Sequence, residues 1–234
     1  MSQNEIFPVH ESFATGAHVD NEKYLEMYQR SVDDPEAYWA EQGKRIDWFT
    51  PYTKIKDVSY DVNDLHVKWY YDGTLNAAYN CLDRHLGTRG DQTAIIWEGD
   101  DPAEDAKFTY RELHELVCKF ANGLKSIGAK KGDRITIYMP MIPEAAVAML
   151  ACVRIGAIHS IVFGGFSPDA LAGRIHDCDS NIIITADEGL RGGRTVPLKA
   201  NTDAALESCP SIDKCVVVRR TDADIGWQAD RDIW

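Results

Sequence analysis

The sequence predicts an α/β fold: a mainly parallel sheet flanked by helices, preceded by an irregular, aromatic-rich N-terminal segment. Three observations carry that prediction. From about residue 91, apolar runs of strand length alternate four times with amphipathic stretches of helix length. The runs are apolar at successive positions rather than at every second one, as strands covered on both faces are. Residues 1–90 show no such alternation, and their many large aromatics, from Tyr24 to Tyr71, follow no strict period. Two regions are therefore expected, a wrapping segment at 1–90 and a first α/β subdomain at 91–234.

Each element has a local reason. Helices are predicted at 22–31 and 35–42, the second with Asp34 as its cap and Pro35 in its first turn. A third, at 74–85, would present Leu75, Ala78, Tyr79 and Leu82 on one face. A strand at 93–97 follows. Thr109 and Glu112 then have capping-box spacing, and Leu113, Leu116, Val117, Phe120, Leu124 and Ile127 form an apolar stripe ended by Gly128. A strand at 134–139 closes on Pro140, a helix at 143–155 stops at Gly156, and 157–163 is a continuous apolar strand. Ser167 caps a helix with Pro168 at its start and Leu171 and Ile175 turned inward. A strand at 181–185, a helix at 198–207 and a strand at 214–218 complete the pattern.

Composition narrows the class. The chain has 234 residues, 44% hydrophobic and 26% charged, an ordinary globular balance. A chain of this size buries about 70% of its unfolded surface without a disulfide or metal staple. No apolar run approaches the roughly 20 residues of a bilayer span, and the first residues lack the basic and apolar regions of a signal peptide. A cytoplasmic protein is expected. The net charge is −12, and the whole deficit lies in residues 1–105; residues 106–234 balance. That excess of acid opposes nucleic acid as a partner. The six cysteines show no CxxC pair and read as reduced thiols, and the seven histidines show no HExxH, so no metal site is expected. His159 is expected in the core or in a pocket wall.

In an open parallel sheet, ligands bind beyond the carboxyl ends of the strands. Two loops leave strands at that end. Phe163-Gly164-Gly165-Phe166 follows strand 157–163, where paired glycines allow close approach to a flat ligand and a Phe can wall a base pocket. A plain tight turn would use the same residues. Arg191-Gly192-Gly193-Arg194, after strand 181–185, offers two guanidinium forks for phosphate or purine on a bend that lets both heads converge. A solvated loop remains the alternative. No GxGxxG, GxxxxGK[ST] or GxSxG motif occurs.

Longer stretches are more specific. Tyr24–Trp39 reads as YxxxYxxSVxDPExFW with Tyr38 for the Phe; KWYYDGTLNAAYNCLDRHL, the run from TYRELHELVCKF to IHSIVFGGFS, and ITADEGLRGGRTVPLK follow. Over essentially its whole length the chain resembles the N-terminal portion of the AMP-forming acetate–CoA ligases, the acetyl-CoA synthetase family of adenylate-forming enzymes. The resemblance implies ATP with Mg²⁺ and CoA as cofactors of the parent enzyme, and acetate as its substrate. Acetyl-adenylate would form first, and the CoA thiol would then displace AMP. It implies that Phe163, Gly164 and Gly165 line the adenine pocket of CoA. Arg191, Gly192, Gly193 and Arg194 would bind CoA as well, Arg191 beside the base and Arg194 near the 3′-phosphate.

The Ser/Thr/Gly-rich phosphate loop, the acetate pocket, the ribose-binding acid, the hinge and the catalytic lysine have no counterpart in this sequence. The chain is therefore expected to be about the first third of such an enzyme, inactive alone, with no catalytic residue of its own. Surface meant for the missing part is expected to favour self-association. A stand-alone CoA- or nucleotide-binding module and a propionate–CoA ligase fragment are the competing readings.

Overall fold

The structure, a computed structural model, describes residues 7–234; the signal-peptide reading of residues 1–6 lies outside them. The chain divides into two units, one running through Thr74 and the other from Leu75 to Trp234.

The first unit is built on aromatic rings. Helices α1 (Glu11–Ala14), α2 (Asn21–Asp33) and α3 (Pro35–Gln42) precede an antiparallel hairpin of β1 (Lys56–Ser59) and β2 (His66–Trp69). Asp34 caps α3 by accepting the Ala37 N–H at 3.0 Å, with Pro35 in the first turn. Trp48, Tyr52 and Tyr70 meet with centroids 4.7–5.5 Å apart. Their polar ends find backbone carbonyls: Tyr52 donates to Ala40 at 2.6 Å, Tyr70 to Trp39 at 2.7 Å and the Trp48 indole to Gly43 at 2.8 Å. This is how buried Tyr and Trp are satisfied. Asp72 fastens the chain ahead of β1, accepting from the Thr53 hydroxyl and from the Thr53 and Lys54 amides; these bonds lower the pKa of its carboxyl to about 2.

The stretch predicted as one helix at 74–85 is three short pieces: α4 (Ala77–Cys81), a 3₁₀ turn (Asp83–His85) and α5 (Leu86–Arg89). Asn76 caps α4 at the Tyr79 N–H and donates to the Val153 carbonyl at 2.9 Å, which sets the start. The helix breaks at Leu82, and Asp83 beyond it is gripped by both forks of Arg154 at 2.7 and 2.8 Å.

A hairpin of β3 (Thr93–Glu98) and β4 (Asp105–Thr109) leads into α6 (Tyr110–Ser126), where Thr109 and Glu112 form the predicted capping box. The main sheet follows: β5 (Arg134–Met139), α7 (Pro143–Arg154), β6 (Ile158–Phe163), α8 (Pro168–Cys178) and β7 (Ile182–Ala186). A second, small hairpin comes next, β8 (Gly189–Arg191) and β9 (Arg194–Val196), then α9 (Leu198–Leu206), β10 (Lys214–Val218) and β11 (Asp232–Ile233). The sheet order is β11-β10-β7-β5-β6, parallel throughout.

Successive strand residues feed two cores. Ile135, Ile137, Ile182 and Ile184 pack with Val117 and Leu124 of α6 and Val147 and Ala151 of α7. Tyr138, Ile183 and Val217 face the other way, onto Leu171 and Ile175 of α8 and Leu198 and Leu206 of α9. One strand departs from two-sided burial. β6 is an edge, so Ile158 and Ile161 remain more than half exposed despite an apolar sequence. At the other edge, buried Lys199 bonds Asp203 and the Gly226 carbonyl at 2.8 Å and Asp232 at 2.9 Å. Burial pushes the Asp232 carboxyl up, yet bonds from Arg231, the Gln228 amide and Lys199 outweigh it and leave it below its ordinary value. Trp227 and Trp234 stack on each other, centroids 4.7 Å apart, with Arg219 over the Trp234 ring.

Candidate functional site

Strand order places the site. From β5 the chain moves outward to β6, then returns to the opposite side of β5 to form β7 and continues to β10. Connections thus leave β5 and β7 in opposite directions, which opens a crevice beyond their carboxyl ends. A cavity of about 400 Å³ lies there. Met139–Ile142 after β5, Phe163–Gly165 after β6 and Gly189–Arg191 after β7 line it, and Trp97, Asp100 and Arg220 close it from the side.

Both predicted loops reach this rim. Phe163-Gly164-Gly165-Phe166 is a tight turn, with the Phe166 N–H on the Phe163 carbonyl at 3.0 Å. Beneath it the buried Tyr138 hydroxyl donates to the Phe166 carbonyl at 2.8 Å. Arg191 and Arg194 do not sit on an open loop. They are the final facing pair of the β8–β9 ladder, joined by Gly192 and Gly193 at φ 56° and 70°. Two successive left-handed residues make a type I′ turn, whose twist suits a two-residue hairpin. The Arg191 guanidinium lies over the Phe163 ring, 4.9 Å from its centroid. The two loops therefore touch: the Phe wall and one Arg fork form a single flat, cationic surface. Arg194, across the ladder, is exposed.

Other parts of the site carry no motif. Asp100, between β3 and β4, accepts the Gly192 and Gly193 amides at 2.6 and 2.7 Å. Those two N–H groups hold its carboxyl below the ordinary value. It latches the turn that carries both arginines. Trp97 donates its indole N–H to the Met141 carbonyl at 2.8 Å, and Arg220 stacks on the Trp97 ring while pairing with Glu104. Asp187 accepts the Arg220 and Thr221 amides at 2.8 and 3.1 Å, fixing the chain after β10. His159 is half-buried on β6 and does not line the cavity. Among the described residues no three of His, Cys, Asp and Glu gather where a metal ion could be held, so no ligands are assigned to Mg²⁺. No helix among them is long and apolar enough to cross a membrane.

An open, doubly wound α/β sheet with its cavity at the switch point defines the class: proteins that hold their ligand on loops rather than inside the sheet. Comparison with known proteins is more specific. Residues 82–232 match the family described as AMP-binding enzyme, and residues 24–81 match the family described as acetyl-coenzyme A synthetase N-terminus. The chain belongs to the AMP-binding enzyme family.

Among curated relatives, the acetyl-coenzyme A synthetase of Parvibaculum lavamentivorans is 62% identical over 231 residues, 99% of this chain and 36% of that protein. That of Photobacterium profundum is 58% identical over 236 residues, 100% of this chain and 36% of that protein. The chain thus spans about 36% of the length of these relatives. Among solved structures, acetoacetyl-CoA synthetase from Streptomyces lividans superposes with a TM-score of 0.78 at 24% identity, over 89% of this chain and 32% of that one. At that identity the likeness is one of fold.

Proposed function

We propose that the rim cavity takes the nucleotide end of CoA, and that the chain contributes this subsite to an AMP-forming acetate–CoA ligase. Such an enzyme converts acetate, ATP and CoA to acetyl-CoA, AMP and pyrophosphate through acetyl-adenylate. The observation that carries the proposal is the stack of Arg191 on Phe163, with Arg194 directly across the ladder. A purine lies well on a flat cationic face, and a second guanidinium fork beside it suits a phosphate. The curated relatives, named for that activity, support the same reading. ATP and Mg²⁺ belong to the proposed reaction as substrate and counter-ion; no residue of this chain is assigned to them. Acetate, ATP and CoA are the proposed small-molecule partners, and the cytoplasm the proposed location.

Calorimetry with CoA and with dephospho-CoA tests the subsite on this chain. A charge-assisted contact from Arg to phosphate is worth roughly 1.5–3 kcal/mol, so Arg194→Ala should weaken CoA by about tenfold or more and leave dephospho-CoA unchanged. Arg191→Ala should weaken both. In the whole ligase, Arg194→Ala should raise the CoA KM about tenfold and barely alter ATP–pyrophosphate exchange. Equal losses in the two half-reactions would count against the assignment.

A further inference from the structure

A second cavity, of about 470 Å³, lies at the opposite end of the sheet, where the chain enters β5 and where α7 ends ahead of β6. Its wall holds Cys118, Asn122, Lys125, Lys130, Lys131 and Arg154, and no carboxylate. Lys125 and Arg154 stand in the last turns of α6 and α7, where cations offset the helix dipoles. Lys130 and Lys131 lie in the connection before β5 and serve no helix end. The cavity is therefore more cationic than its architecture requires.

Cys118 opens onto it beside a polar relay. Its sulfur is 3.5 Å from His114 Nε2, which lies 3.2 Å from Asp83 Oδ1. Arg154 holds both Asp83 oxygens and keeps that carboxylate in place. Other thiols are placed differently: burial pushes Cys152 and Cys215 up to about 12, and Cys81 is exposed but does not line this cavity.

We propose that this basic cavity seats small anionic disulfides, of the class of glutathione disulfide, and that Cys118 is the thiol they modify. The exchange is self-contained. The Cys118 proton leaves to solvent in the cavity, and the thiolate is left beside His114, whose Nε2–H faces both the sulfur and Asp83. The sulfur attacks the nearer atom of the incoming disulfide, so that the protein–reagent S–S bond forms as the reagent's own S–S bond breaks. The released half leaves as a thiolate and takes a proton from solvent. One protein thiol is oxidised and one half of the reagent reduced.

The test compares two aliphatic disulfides of opposite charge, glutathione disulfide and cystamine. Labelling of Cys118 in the 234-residue chain is followed by peptide mass spectrometry, each rate divided by that of a small model thiol. Electrostatic attraction into a one-sign cavity raises encounter rates by about tenfold or more. Glutathione disulfide should therefore lead by about that factor, and the lead should shrink in high salt. The exposed-residue triple variant Lys125→Gln/Lys130→Gln/Lys131→Gln should bring the ratio close to one, while His114→Gln should slow both reagents alike. Cys81 provides an internal reference without the preference. Equal rates in the unaltered chain, a preference that survives the triple variant, or a ratio governed by His114 instead would each overturn the proposal.

Discussion

Two glycine pairs stand at the same rim, one lining the cavity and the other turning the hairpin beside it, and they are glycine for opposite reasons. At Gly164-Gly165 the backbone has ordinary negative φ, and the constraint is space. A Cβ on Gly164 would stand 3.0 Å from the Met139 carbonyl oxygen, and one on Gly165 would stand 2.7 Å from the Phe163 ring and 3.1 Å from an Arg191 nitrogen. At Gly192-Gly193 nothing lies within 4 Å of either added Cβ, and the constraint is the left-handed backbone. The first pair permits contact between protein parts, including the stack that forms the proposed base wall. The second pair permits a reversal of chain direction. A repeated dipeptide in a sequence is thus one symbol with two meanings, and only the surroundings distinguish them.

Variants can break or sharpen this contrast. The largest effect is expected where the first turn and the base of the hairpin share a support. Leu198 is buried, with one methyl 3.4 Å from the Cβ position of Gly164 and the other 3.2 Å from that of Gly189. Leu198→Ala should cost about 2–5 kcal/mol in urea unfolding and loosen the Gly164 turn and the hairpin base together. Gly164→Ala meets a backbone oxygen that cannot rotate away, and should cost about 1–3 kcal/mol by the same measurement.

Gly192→Ala has room but the wrong φ, and should cost about 1–2 kcal/mol. Gly192→Asn should recover most of that, because Asn tolerates the left-handed region. If asparagine rescued position 164 as well, the contrast would fail. The mildest change is Asp100→Asn, which keeps shape but removes the charge and one of the two acceptor oxygens; the Gly192 and Gly193 amides should exchange with solvent faster while the β5 amides hold.

The same latch has a pH signature. The Asp100 carboxyl sits below its ordinary 3.8 because it accepts the Gly193 and Gly192 amides. A carboxyl depressed in the folded state contributes fully above the ordinary value, and its contribution is lost as pH falls through the lowered one. Titrating the Asp100 carboxyl carbon by NMR alongside the two glycine amides should show both moving together below pH 3.8. A latch that opened on raising the pH would contradict the geometry.

Much of the fold was legible because it rests on local chemistry. Strands 134–139 and 214–218 and the helix at 35–42 have the predicted bounds, and the capping box at Thr109 and Glu112 is formed as written. Periodicity and caps act within a few residues, so they can be read there. What escaped was tertiary. The helix expected at 74–85 is broken because Asp83 serves Arg154, 71 residues away. The β8–β9 hairpin looks like a loop in the sequence because three-residue strands give no periodic signal, although Gly-Gly between matched flanks is a recognised turn signature.

Of the site, Phe163 and the arginines announced themselves by residue type. Asp100, Trp97 and Arg220 did not, since an acid in an acidic stretch and an isolated Trp have no pattern to find.

The distance along the chain between Asp100 and the turn it holds also bears on assembly. The Gly192 amide reaches a carboxylate 92 residues earlier, so that bond can close only after the intervening strands are laid side by side. A protease cutting between Gly192 and Gly193 would then report maturation: newly made or half-assembled molecules would be nicked, and finished ones spared.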